Sequence, residues 1–407
     1  MNKLEVERSL ILPNNVVVKN RFFKSAMSET LADRFNSPSA LLVSLYKQWA
    51  EGGAGIVVTG NIMIDRDALG EPGNVVIDDE RDLARLKEWA AAGSINNTKV
   101  WVQLNHPGRQ SPRSLSKEPV APSALSLDKK YRSFFSPPRE LTTEEVKEII
   151  QKFIRSAQII RKAGFNGVQI HGAHGYLVSQ FLSPLSNQRQ DDYGGSSENR
   201  MRFLIDIYSG IREVLGPDFS ISVKLNSSDF NEGGFNEKAA LKVMTKLSDL
   251  GIDLIEISGG NYENPRMFAE ADGEEVFFID YAKKLKSVIS SPIVVTGGFR
   301  TLLTMEKALN EKKTDMIGLA RPLVLYPDLP QRMMEGKLSE VTMPRLTTNI
   351  PLLDGKAGGF MGISYYEQQI KRIADGKAPV IHENGWKPIF STLKAHGLSV
   401  LMPRRFS

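Results

Sequence analysis

Thr142–His171 reads TTEEVKEIIQKFIRSAQIIRKAGFNGVQIH, one complete helix-to-strand unit. Thr142 and Glu145 form a capping box, which satisfies amide hydrogens that a helix start leaves open. Val146, Ile149, Ile150, Phe153, Ala157 and Ile160 then recur at three- and four-residue spacing as a single apolar stripe. Gly164 supplies the stop. In the run Gly164 to His171, Val168 and Ile170 alternate with Gln169 and His171, the two-residue period of a strand. A capped helix feeding a short β-branched strand is the repeating unit of a parallel sheet.

The same alternation extends both ways along the chain. Strands are predicted at Phe22 to Ala26, Gly55 to Gly60, Val100 to Asn105, Gly164 to His171, Ile221 to Asn226, Ile252 to Ser258, Pro292 to Gly297 and Asp315 to Ala320. Eight strand–helix repeats close a TIM (β/α)₈ barrel. An open doubly wound sheet is the rival, but Gly52-Gly53-Ala54-Gly55 precedes its strand, the wrong order for a dinucleotide turn. Leu4 to Ile11, the Pro13-Asn14-Asn15 turn and Val16 to Val18 read as an N-terminal hairpin plugging the barrel bottom. Beyond Pro327 the pattern changes, giving a barrel over residues 1–330 and a C-terminal helical extension over 331–407 packing on it. In that extension a helix over Ser364 to Ala374 presents Tyr366, Ile370 and Ile373 on one side.

The chain is 41% hydrophobic and 24% charged over 407 residues, ample for a large core. A net charge of +5 is mild, and its basic residues are scattered in short knots such as Lys312-Lys313. No basic face for nucleic acid is expected. The absence of cysteine excludes disulfides, thiolate catalysis and thiolate-bound clusters within these residues. No basic segment followed by a long apolar run opens the chain, so no membrane association and a cytoplasmic location are expected. Oligomeric state stays open; a homo-oligomer is an option, with Arg404 and Arg405 as a candidate contact to a neighbouring subunit.

Strand parity then sorts side chains into two faces. Val100, Val102 and Leu104 face the helices, which leaves Trp101, Gln103 and Asn105 toward the axis. Val168 and Ile170 leave Gln169 and His171 inside, and Ile221, Val223 and Leu225 leave Ser222, Lys224 and Asn226. Barrel axes are normally filled by branched apolar residues, so amides, an imidazole and an ammonium near the C-terminal strand ends mark a site. No acid is read among the inward neighbours of Lys224, which points to an anionic or electron-rich ligand. Thr296-Gly297-Gly298-Phe299-Arg300 closes the seventh strand and Gly318-Leu319-Ala320-Arg321 the eighth. Loops after these two strands commonly bind phosphate through backbone N–H groups and a cation. The polar loop from His171 to Arg202, hung on the end of a strand, reads as a site rather than a connector.

Val18-Lys19-Asn20-Arg21, Ser25-Ala26-Met27-Ser28, Val102 to Arg109, the His171 loop and the two phosphate loops together resemble the FMN-dependent old yellow enzyme family over roughly Leu4 to Pro330. The resemblance implies that Ser25, Ala26 and Met27 cradle the isoalloxazine ring. Ser28 stands where relatives place a Thr or Cys that tunes flavin potential. Thr59 and Gly60 resemble ring contacts, and Gln103 the amide that fixes the pyrimidine. Lys224 replaces an Arg beside the pyrimidine edge, keeping the charge without the planar fork. Gly297, Gly298, Ala320 and Arg321 match the phosphate cradle. His171 and His174 resemble the pair that grips a substrate oxygen, and Tyr176 the proton donor. Arg189, Asp192, Glu198, Asn199 and Arg202 read as a mutually satisfied network holding the mouth.

The activity so implied is FMN-dependent reduction of activated C=C bonds in unsaturated carbonyl or nitro compounds, with NADH or NADPH as electron donor. The alternative is an NAD(P)H:flavin or quinone reductase or oxidase with no dedicated alkene. A flavin carrier and a zinc hydrolase using the H-x-x-H pair are further options. No thiolate or obvious carboxylate accompanies that pair, so no metal site is expected. Pocket width would depend on the loops Arg109 to Pro138 and Asn261 to Asp272, which carry no readable signature.

Overall fold

A computed structural model describes residues 3–264 and 276–390. Its strands are β1 (Phe22–Lys24), β2 (Ile56–Met63), β3 (Lys99–Asn105), β4 (Gly167–Gly172), β5 (Ser220–Asn226), β6 (Leu254–Ser258), β7 (Ile293–Thr296) and β8 (Met316–Leu319). Each pairs in parallel with its sequence neighbours, and β8 pairs with β1 to close the ring. All the predicted barrel strands are present, and closure excludes the open doubly wound sheet. Helices Ala40–Glu51, Leu83–Gly93, Thr143–Ala163, Ser197–Leu215, Glu237–Asp249, Ile279–Lys286 and Leu302–Asn310 fill the crossovers. The capping box of Thr142 and Glu145 forms, and Gly164 ends that helix at φ 91°.

Two apolar clusters build the core. The larger lies between strands and helices and contains Val100, Val102, Leu104, Val168, Ile170, Ile221, Val223 and Leu225, as parity requires. The smaller fills the lower axis with Phe23, Ile56, Val58, Trp101, Leu254, Val294 and Met316, closed by Leu10, Leu12 and Val18 of the hairpin. The hairpin is shorter than its sequence suggests, pairing only Leu10 with Val18 and Ile11 with Val17. Glu5–Glu7 is a 3₁₀ turn instead, because the Glu5 and Val6 amides donate to the Glu306 carboxylate at 3.0 and 2.9 Å.

The C-terminal helix is longer than predicted, Pro351–Ala374. Ile370 and Ile373 are buried, and the Gln48 amide donates to the Ile373 carbonyl, tying this helix to Ala40–Glu51. Arg404, Arg405 and the part of the Asn261–Asp272 loop from 265 onward lie outside the described residues. No described helix is long and apolar enough to cross a membrane.

Candidate active site

Above the apolar plug the axis turns polar, and one buried carboxylate organises it. Glu256 of β6 is paired in register with Lys224 of β5. Its Oε1 accepts from Thr296 Oγ1 at 2.8 Å and lies 3.1 Å from Lys224 Nζ; its Oε2 accepts from Gln169 Nε2 at 2.9 Å. Gln169 Oε1 in turn accepts from Gln103 Nε2 at 2.7 Å, and Ser25 Oγ lies 2.8 Å from Thr296 Oγ1. The expectation that no acid neighbours Lys224 is therefore wrong. β6 sends Ile255 and Ile257 to the helices and Leu254, Glu256 and Ser258 to the axis, so parity applied to this strand would have found the partner.

The ends of β1 and β2 form one wall of the mouth. Ser25 N donates to Leu319 O at 2.8 Å, fixing the chain where it leaves β1. Ala26 packs on the axial cluster and Met27 on the outer one. The Ser28 hydroxyl donates to Glu71, a carboxylate far along the chain. Thr59 and Gly60 sit where the β2–β3 register shifts between Val58 and Asn61. The Thr59 hydroxyl donates to Gly60 O at 2.8 Å and accepts from Gln103 N at 3.0 Å, so it serves the backbone. A methyl group at Gly60 would lie 2.6 Å from Met27 O, which requires glycine there. Behind this wall Lys24, fully buried, donates to Val58 O at 2.7 Å and faces Glu29 Oε1 at 3.4 Å, with its ammonium over the Trp49 ring. Burial lowers the Lys24 pKa to about 8 and raises that of Glu29. Tyr46 donates to the same carboxylate and accepts from Gly60 N at 3.2 Å.

His171, His174 and Tyr176 converge on the other side. The His171 ring lies 5.1 Å from that of His174 and 4.9 Å from that of Tyr176, both edge-on. His171 Nδ1 accepts from Ala173 N at 3.3 Å, so a neutral ring carries its proton on Nε2, a donor. His174 adopts φ 61°, held by Asn226 Oδ1 at 3.3 Å from its amide and by Ser258 Oγ at 2.7 Å from Nε2. Asp229 accepts from Asn226 Nδ2 at 3.1 Å, and burial pushes its carboxyl up to about 6. Tyr176 is buried with its hydroxyl 3.0 Å from that of Tyr262. Tyr262 O accepts from Tyr131 OH at 2.6 Å, and Glu263 pairs with Arg109 at 3.2 Å. The two loops without readable signature thus meet in an apolar cluster of Leu127, Tyr131, Phe135, Tyr176 and Tyr262. Gln180, also unforeseen, donates to Pro107 O and Gly175 O at 3.1 and 2.7 Å, joining the β3 and β4 loops.

The network expected between Arg189 and Arg202 is rearranged. Buried Arg189 pairs with Asp191 rather than Asp192 and donates to Pro122 O at 3.0 Å. The pairing with Arg189 holds Asp191 at about 2. Arg202 donates to the Asp192 carbonyl and to Asn199, whereas Glu198 pairs outward with Lys242. Local i, i+2 geometry gives Arg189 its nearest acid, and helix Ser197–Leu215 turns Glu198 away.

Whether these residues suit a flavin phosphate is decided by chemistry present in the chain. Gly297 and Gly298 have φ of 102° and 87°, which bare their amides, and a methyl group at Gly297 would meet nothing within 4 Å. Ala320 and Arg321 follow β8, the strand beside β7. At the top of β3, both carboxamide atoms of Asn105 are buried without a hydrogen-bond partner, an arrangement that a polar ligand relieves. The residues fit FMN: Gln103, Lys224 and the Ser25–Met27 segment would hold the ring, and the glycines with Arg321 the phosphate.

Known proteins agree in family. The profile of the NADH:flavin oxidoreductase / NADH oxidase family matches residues 11–340. The NADH-dependent flavin oxidoreductase iliE of Hypocrea jecorina is 36% identical, covering 84% of this chain and 93% of that protein. The NADH oxidase of Thermoanaerobacter brockii is 33% identical over 84% of this chain but only 52% of its own length. Among solved structures, a 2-naphthoyl-CoA reductase in complex with 2-naphthoyl-CoA superposes with a TM-score of 0.77 at 30% identity, over 82% of this chain and 52% of its own. The old yellow enzyme homologue of Zymomonas mobilis gives 0.72 at 26%, over 82% and 94%. The chain spans about half the length of the NADH oxidase and of the naphthoyl-CoA reductase. It belongs to the NADH:flavin oxidoreductase / NADH oxidase family and is an old yellow enzyme-like, FMN-dependent NAD(P)H oxidoreductase.

Proposed function

We propose that the chain is an ene-reductase acting on alkenes conjugated to a carbonyl or nitro group. The observation carrying this reading is the meeting of His171, His174 and Tyr176 at the mouth whose floor holds Gln103 and Lys224. FMN, when bound, supplies the hydride that NAD(P)H has delivered to it. His171 Nε2–H and the His174 ring then bind the activating oxygen and stabilise the negative charge that grows on it. Tyr176 Oη–H, held by Tyr262, gives a proton to the α-carbon. Tyr131, Phe135 and Tyr262 pack around Tyr176 and line this side of the mouth with apolar surface. The substrate is thus a planar, electron-poor alkene with one hydrogen-bond acceptor.

The test is a steady-state comparison of acceptors on the purified yellow protein with NADH or NADPH as donor. Cyclohexenone and a nitroalkene are expected to give kcat/KM well above those for oxygen, a quinone and free flavin. The second reading, a flavin or quinone reductase or oxidase, takes support from the name of the 33% identical NADH oxidase. Oxygen or quinone outrunning every alkene would establish it and overturn the first.

A further inference from the structure

We infer that Glu256 is a positioning residue for the flavin, setting both the hydrogen-bond polarity and the net charge of the floor on which the ring lies. The inference rests on FMN occupying this mouth, and it is independent of which acceptor is reduced.

What each group can donate sets the polarity of the floor. A carboxylate accepts only. Gln169 must therefore turn its NH₂ toward Glu256 Oε2, which leaves its carbonyl oxygen for Gln103 Nε2. Gln103 consequently keeps its own carbonyl oxygen as the atom free to accept from a ligand. On the other side Thr296 directs its one hydroxyl hydrogen to Glu256 Oε1. Ser25 must then be the donor to Thr296, so Ser25 Oγ is also left with acceptor capacity alone. One acid on β6 thus leaves an acceptor oxygen on Gln103 of β3 and on Ser25, just past the end of β1, each suited to a ring N–H group.

Lys224 and Glu256 form a salt bridge at 3.1 Å with side chains 7% and 0% exposed. Charge near the ring nitrogens tunes flavin electronics, and a cation there favours the electron-rich reduced form. In this chain the cation is already matched by a carboxylate. Among the described residues the other buried lysine, Lys24, is on the helix side of β1, with Glu29 3.4 Å away. Glu256 therefore holds the reduction potential below what Lys224 alone would give.

Glu256→Gln separates the two roles. The glutamine carbonyl can replace Oε1 toward Thr296 and Lys224, and its NH₂ then faces Gln169. That reverses the relay and presents the Gln103 NH₂ to the ligand. FMN affinity is expected to fall ~10- to 100-fold, the cost of a mispaired buried polar group. At the same time the released Lys224 charge should favour reduced over oxidised flavin about tenfold, an upward shift of roughly 30 mV for the two-electron couple. A merely structural lesion would weaken binding without raising the potential. Lys224→Met keeps Glu256 and the two glutamines but removes the cation beside the ring, so the ratio of reduced to oxidised flavin should fall about tenfold, a downward shift of roughly 30 mV. The double variant should return toward wild type. Potentials are read against redox dyes and affinities by flavin fluorescence, with no alkene present, so failure of the alkene-reductase reading would be a separate result. An unchanged or lowered potential in Glu256→Gln, or an unchanged or raised one in Lys224→Met, overturns the inference. If Glu256→Gln retains no FMN, the Lys224→Met potential decides alone.

Discussion

Tyr176→Phe tests the proposed chemistry most directly, because the structure separates the hydroxyl from everything else the residue does. The phenyl ring would keep its edge contact with His171 at 4.9 Å and its place in the aromatic cluster with Tyr131 and Tyr262. His171 and His174 stay in position, since their hydrogen bonds run to Ala173, Asn226 and Ser258. What disappears is one proton and the 3.0 Å contact with Tyr262. The lost contact costs about 1 kcal/mol of stability. The lost general acid costs ~10²- to 10⁴-fold in rate, roughly 3–5 kcal/mol of barrier. Stopped-flow absorbance follows the two half-reactions separately. Flavin reduction by NADH or NADPH should change less than about threefold, whereas reoxidation by cyclohexenone should slow by about 10² or more, at a scale set by that general-acid range. Equal losses in both half-reactions would mean that the tyrosine only shapes the pocket, and no loss in either would remove it from the chemistry.

Two further perturbations probe the frame around the site. Lys24→Met leaves the buried Glu29 carboxylate without its cation, so urea unfolding should show a loss of about 3–5 kcal/mol. The double change with Glu29→Gln should recover much of it, and a single-variant loss below about 1 kcal/mol would refute the pairing. Burial gives Asp229 a folded pKa of about 6, above the ordinary aspartate value of about 4, so the folded state binds the extra proton between those values. Its contribution is complete below about pH 4 and lost as pH rises through 6; Asp229→Asn should stabilise by up to about 3 kcal/mol at pH 7 and flatten thermal stability across that window. An unaltered pH slope in the variant would show that the burial does not act on this carboxyl.

The sequence made the fold readable because eight segments repeat one period, and it made much of the floor readable because strand alternation is rigid. Gln103, Gln169, His171 and Lys224 all lie on the predicted face for that reason. Glu256 obeys the same rule but sits in the run Ile252–Ser258, where Asp253 and Glu256 differ in parity and face opposite ways. Asp253 pairs with Arg212 outside the axis, and Glu256 pairs with Lys224 within it. The β2 register shift left no trace, since Gly60 has no side chain to break the alternation. Ser28 with Glu71, and Tyr176 with Tyr262, join residues far apart through loops with no period at all. Such pairings depend on how loops cross the mouth, which no local pattern encodes.

The β2 irregularity links the buried charges to the flavin bed. A register shift between Val58 and Asn61 breaks the regular ladder beside Val58. Lys24 Nζ donates to the Val58 carbonyl at 2.7 Å, and Tyr46 OH accepts from the Gly60 amide. Both cation and phenol return to Glu29, the residue directly after Ser25–Ser28. One carboxylate on the helix side of the wall therefore fixes both chain segments proposed to touch the ring, and Glu256 does the corresponding work on the axis side. Neither pair needs to gain net stability over an apolar replacement to be kept. Each holds polar groups in an orientation that a hydrocarbon core could not specify, and together they brace from both sides the β1–β2 wall proposed to carry Ser25, Thr59 and Gly60 against the ring.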